Sequence, residues 1–156
     1  MELPKRKNPR LSQFDYSLPG AYFVTICTKD MMQVLGNIIV GGDALIAPQM
    51  NLSSVGIIVD KYIKNIPGIH KYVIMPNHLH MIIIIGNGAM RASPPTQSIP
   101  SRIRSFKKMV AREIGVSIFQ RSFHDHITRG EQDYRKIWEY IDTNVIRWQN
   151  DCFYTE

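Results

Sequence analysis

The sequence predicts an α+β fold, an antiparallel sheet with interspersed helices and one further helix at the C-terminal end. Three observations carry this expectation. Segments rich in β-branched and aromatic residues recur at Ala21 to Thr28, Lys71 to Met75, His78 to Ile85 and Phe119 to Thr128. Stretches with apolar residues at helical spacing fall between and after them. Pro-Gly and Pro-Asn pairs punctuate the joins.

Lys5, Arg6, Lys7 and Arg10, with prolines at 4 and 9, make residues 1–12 a basic N-terminal arm. Pro19-Gly20 is the turn that leads into the first strand. Residues 34–51 hold short apolar pieces around Gly36 and Gly41-Gly42, expected as a hairpin or an irregular excursion. Ser53 or Ser54 caps a helix running to about Asn65, with Val55, Ile58, Val59, Tyr62 and Ile63 buried and Pro67-Gly68 ending it. Lys71–Met75 and His78–Ile85 then read as strands that pair antiparallel across Pro76-Asn77. Three prolines and two glycines make residues 86–100 a flexible connector. Ser101 is expected to cap the next helix, with Ile103, Phe106, Val110 and Ile114 inward and Arg102, Arg104, Lys107, Lys108 and Arg112 outward. Phe119–Thr128 is the fourth strand.

From Glu131 to about Asn150, Tyr134, Ile137, Trp138, Ile141, Val145 and Trp148 form one helical stripe. At 100° per residue, Tyr140 and Asn144 lie about 110° and about 70° from its centre, towards a polar flank with Asp133, Lys136 and Arg147. The order strand, helix, strand, strand, helix, strand is the split βαβ or ferredoxin-like arrangement, here with an additional C-terminal helix. In that arrangement the first and third strands are central, and the last helix must cross one face of the sheet.

The length fits a single domain, residues 1–156, that buries about two thirds of its unfolded surface. An apolar fraction of 44% with 21% charged residues excludes a disordered chain. Nineteen Lys and Arg against thirteen Asp and Glu leave +6, and the pI near 9.4 favours a polyanionic partner. Cys27 and Cys152 make no disulfide framework, which fits a reducing cytoplasm. The longest unbroken apolar run, Met81 to Ile85, is too short to span a bilayer.

His78 and His80 are two apart in a strand and so project from one face, with Leu79 on the other. Two ligands from one rigid element suit a divalent metal, although a hydrogen-bonded histidine pair has the same pattern. Tyr140 and Asn144 are four apart on a helix and are therefore side-chain neighbours. Tyrosine beside an amide suits a metal-assisted nucleophile; it is also what an ordinary amphipathic helix presents.

Pro76-Asn77-His78-Leu79-His80, Phe123 to Arg129, Glu139 to Asn144 with Arg147-Trp148, and Asp15 to Ile26 together resemble the single-tyrosine HUH transposases, REP-associated tyrosine transposase branch. The resemblance covers roughly residues 10–150. It implies Tyr140 as the nucleophile, His78, His80 and Asn144 as ligands of Mg²⁺ or Mn²⁺, and cleavage and rejoining of single-stranded DNA at hairpin repeats through a 5′-phosphotyrosine intermediate. Val145 stands where related sequences usually carry proline. Lys5, Arg6, Lys7, Arg10, Arg102, Arg104, Lys107, Lys108 and Arg112 are then candidate contacts to the DNA backbone. His126 is a candidate for positioning Tyr140 or DNA; neither it nor His124 is assigned as a ligand. The resemblance leaves monomer or homodimer open.

Two other readings stand beside this one. A catalytically inactive domain that binds single-stranded nucleic acid would use the same sheet. A His-x-His metallohydrolase would need an acidic group near the pair, and none is evident in the sequence.

Overall fold

The computed structural model describes residues 14–43, 45–86 and 97–155. The basic arm, with Lys5, Arg6, Lys7 and Arg10, and most of the connector 86–100 lie outside the described residues. The elements are β1 Gly20–Cys27, β2 Gly36–Ile39, β3 Gln49–Leu52, α1 Ser54–Ile63, β4 Ile69–Ile74, β5 His78–Ile85, α2 Ile99–Ile114, β6 His124–Ile127 and α3 Gly130–Thr143.

Four strands form one sheet in the order β4-β5-β1-β6, every pair antiparallel. This is the expected split βαβ order with β1 and β5 at the centre. The excursion at 34–51 is a separate two-stranded ribbon, β2 with β3.

Period-two alternation divides the sheet into two faces. Tyr22, Val24, Ile26, Leu79, Met81, Ile83 and Ile85 join Val59 and Ile63 of α1 and Ile103, Phe106 and Val110 of α2 in the main core. On the other face Ile82 meets Ile137 and Ile141 of α3, with Ala21, Phe23, Val73 and Ile84 around them. The last helix therefore crosses the face from which His78 and His80 project. A register shift between Ile69 and Lys71 makes His70 an extra residue, and its ring packs on Trp138, centroids 5.5 Å apart. Lys71 Nζ, on the same side, sits 3.8 Å from the Trp138 ring centroid and pairs with Asp142.

Asp133 anchors the start of α3. Its carboxylate accepts from Arg129 N at 2.8 Å and pairs with His126 Nε2 at 2.8 Å, and those two bonds lower its pKa.

Several expectations need correction. Ser98 caps α2, its hydroxyl accepting from Ser101 N. Pro100 then falls in the first turn, where its missing N–H costs nothing. Arg102 is buried, not outward: its guanidinium donates to the Pro67 and Gln97 carbonyls. Gly68 makes room for it, since at φ +79° a Cβ would lie 2.7 Å from Arg102 Nη1 and 2.1 Å from the Ile84 oxygen. Ile114 is only partly buried. The fourth strand is restricted to His124–Ile127, with one isolated bridge pairing Phe119 to Thr28.

Finally, α3 stops at Thr143 instead of running to Asn150. Thr143 turns its hydroxyl back onto the Glu139 carbonyl, and the β-branched pair Val145-Ile146 follows. Val145 and Trp148 thus leave the helical stripe, and Trp148 reaches its buried position on a short 3₁₀ turn, Trp148–Asn150.

Candidate metal centre and tyrosine site

Strand register builds the site. Thr25 lies opposite His80, and Cys27 opposite His78, on the two central strands. Both imidazoles are buried, at 0% and 1% exposure. Their rings are 4.6 Å apart at 70°.

Hydrogen bonds orient the rings. Asn77 donates its amide NH₂ to the Phe153 carbonyl at 2.8 Å, so its Oδ1 faces His78 Nδ1, also at 2.8 Å. An acceptor there places the His78 proton on Nδ1 and leaves the lone pair on Nε2. His80 Nδ1 is bonded to Thr25 Oγ1 at 2.7 Å, which leaves its Nε2 for the site. Phe23 stacks on the His80 ring at 5.3 Å, and Phe153 packs on His78 at 4.6 Å.

Acceptors converge on the two Nε2 atoms. Asp151 Oδ2 is 3.9 Å from His78 Nε2, and one ligand atom from each of His78, His80 and Asp151 falls within 4.8 Å of the others. Asn144 Oδ1 and His78 Nε2 are buried with no hydrogen-bond partner. Buried acceptors without a partner are costly, and a cation beside the His78 lone pair, the Asn144 oxygen and the Asp151 carboxylate would satisfy them together. The residues present therefore fit a divalent metal of the nitrogen and oxygen type.

Electrostatics agree with that fit. Burial lowers the His78 pKa to about 4, the nearby Asp151 charge opposing it, and burial with the neighbouring His78 pushes His80 well below the ordinary value. Both imidazoles are thus neutral, the form that ligates. Tyr140 Oη lies 3.4 Å from His80 Nε2, its ring 5.1 Å from the imidazole. Burial and the Asp151 charge raise the Tyr140 pKa, with Asn144 pulling the other way. The phenol is not self-activated. Tyr140 remains 36% exposed, and with Asn144, Arg147, Asn150 and Asp151 it lines a cleft of about 410 Å³.

The structure brings His78, His80, Tyr140 and Asn144 together, with two differences from the sequence reading. Asn144 is 1% exposed, not on the polar flank. An acidic group does stand beside the histidine pair: Asp151, eleven residues after Tyr140, in a segment expected to lie beyond the last helix. Spacing gave no sign of it; the aromatic residues Trp148, Phe153 and Tyr154 were the only signal that this segment packs back on the fold.

The predicted basic contacts divide. Arg104, Lys108 and Arg112 are exposed on α2, across the sheet from α3. Lys107 Nζ is bonded to the Gln120 carbonyl at 2.7 Å, and Arg102 is a core tie. His126 is engaged with Asp133, holding the helix that carries Tyr140.

Sheet order, and a last helix that crosses the sheet with a tyrosine, give this chain the transposase fold. The REP-associated tyrosine transposase bound to a REP hairpin matches it with a TM-score of 0.61 and 20% identity, over 88% of this chain and 73% of that one. The resemblance read from the sequence thus holds at the level of fold. No family model matches. A Haemophilus influenzae protein described as uncharacterized is 35% identical, over 97% of this chain and 94% of its own length, and the chain belongs to the family of that protein. No helix among the described residues is long and apolar enough to cross a membrane.

Proposed function

We propose that the protein is a metal-dependent enzyme that cleaves and rejoins single-stranded DNA at hairpin repeats through a 5′-phosphotyrosine bond to Tyr140. The observation that supports this most is the 3.4 Å approach of the Tyr140 hydroxyl to His80 Nε2, at the edge of a buried cluster in which His78 Nε2 and Asn144 Oδ1 have no hydrogen-bond partner. The net charge of +6 and the hairpin bound by the solved neighbour support DNA as the partner.

His78, His80 and Asp151, with Asn144 beside them, would hold Mg²⁺ or Mn²⁺, which when bound supplies Lewis-acid polarisation of a non-bridging phosphate oxygen. The protein's residues do the rest. Asn77 and Thr25 keep the two ring nitrogens aimed inward. Phe23 and Phe153 exclude water from the imidazoles. Tyr140 attacks phosphorus: the bond from its Oη to phosphorus forms and the bond from phosphorus to the 3′ oxygen breaks. The proton lost by the phenol is balanced by one gained by the departing 3′-hydroxyl. Attack by a second 3′-hydroxyl reverses the exchange, so no nucleotide hydrolysis is required.

A labelled single-stranded hairpin with Mn²⁺ should give a covalent protein–DNA adduct that Tyr140→Phe abolishes. An undiminished adduct in that variant refutes the assignment. The idle-binding reading has one observation in its favour, the complete burial of both imidazoles. It predicts DNA binding indifferent to metal and no adduct on any hairpin.

A further inference from the structure

We infer that Arg147 is the cation that grips the scissile phosphodiester in the cleft it lines with Tyr140. The inference rests on the reading of Tyr140 as nucleophile. Of the residues lining the 410 Å³ cleft, Arg147 is the only one with a positive charge. Its guanidinium is exposed and makes no hydrogen bond or ion pair among the described residues, although acidic side chains are near in sequence. Those are otherwise engaged: Asp142 holds Lys71, and Asp151 faces His78.

Its backbone is fixed. Arg147 N donates to the Thr143 carbonyl at 3.0 Å, and the next residue, Trp148, is buried with its ring 5.9 Å from that of His78. The position is therefore set relative to both Tyr140, seven residues earlier, and the imidazoles, while the head group is left unspent.

Charge accounting calls for such a group. Two neutral imidazoles and one carboxylate leave a divalent cation with one net positive charge, against one on the phosphodiester. As Tyr140 attacks, negative charge grows on the phosphoryl oxygens, and a planar fork of donors stabilises that change. Arg147 thus contributes more to the transition state than to ground-state binding.

The test compares Arg147→Gln and Arg147→Lys with the parent chain. With Mn²⁺ and a single-stranded hairpin, single-turnover adduct formation should fall about 100-fold or more in Arg147→Gln. Arg147→Lys should recover only part of the loss, because an ammonium keeps the charge without the fork. Mn²⁺ affinity, read by electron paramagnetic resonance, should stay within about twofold, which also verifies folding. A rate within about twofold of the parent overturns the inference while leaving Tyr140 intact. If the parent itself forms no adduct, the reading of Tyr140 fails, and DNA binding decides the matter for Arg147. The slope of log affinity against log salt should drop by about 0.7 in Arg147→Gln, the value of one single-strand phosphate contact. An unchanged slope overturns it.

Discussion

Asn77 shows how one side chain sets the chemistry of its neighbour. It is fully buried and two-sided: its amide donates to the Phe153 carbonyl and its oxygen faces His78 Nδ1. One group therefore aims the His78 lone pair and pins the terminal segment that carries Asp151. Replacement by alanine removes both effects, and such supporting partners typically account for 10-fold to 100-fold in metal affinity. Asn77→Ala should bind Mn²⁺ that much more weakly, measured by titration followed by electron paramagnetic resonance. An affinity within twofold of the parent would mean that ring packing by Phe153 and Trp148 alone orients His78.

At the level of elements, the helix that presents Tyr140 is held by little apolar surface: Ile137 and Ile141 on Ile82, with Tyr134 and Trp138 partly buried alongside. Ile141→Ala should cost about 2–4 kcal/mol in urea unfolding and slow adduct formation, since the phenol then loses its fixed distance from His80. Full stability with slowed chemistry would show instead that Ile141 acts only on the helix position. Strand β5 and its histidines were legible because the unbroken apolar run Met81–Ile85 after the Pro76-Asn77 turn marks a strand buried on both faces. The end of α3 was not, because apolar periodicity runs on through Val145 and Trp148 while local hydrogen bonding at Thr143 and a β-branched pair stop the helix. The same break hid Asp151, which reaches the histidine pair only because the chain doubles back. Arg102 was misread for a related reason: helical phase places it beside the core stripe, and only the slot over Gly68 and the Pro67 carbonyl lets a guanidinium enter.

For the whole molecule, the buried histidine pair couples folding to protons and to metal. Both imidazoles have lowered pKa values in the folded chain, so between the unfolded value of about 6.5 and the folded one the unfolded chain binds more protons. The metal-free protein should therefore be most stable above pH 6.5 and lose stability as pH falls below it, seen as a falling urea midpoint. Metal binding should follow a different course, because protons compete for the imidazoles only near their folded pKa values. Mn²⁺ at about 100 times its Kd adds about 2.7 kcal/mol, or about 5–10 °C in Tm for a chain of this size. That increment should be as large at pH 5.5 as at pH 7, even though the Tm of the metal-free protein is lower there. An exposed histidine pair would give the opposite pattern, a metal increment that collapses below pH 6.5. Such a collapse in the scanning-calorimetry series would show that the imidazoles are not held neutral by burial, and the cluster of facing acceptors would lose its claim to be a preformed cation site.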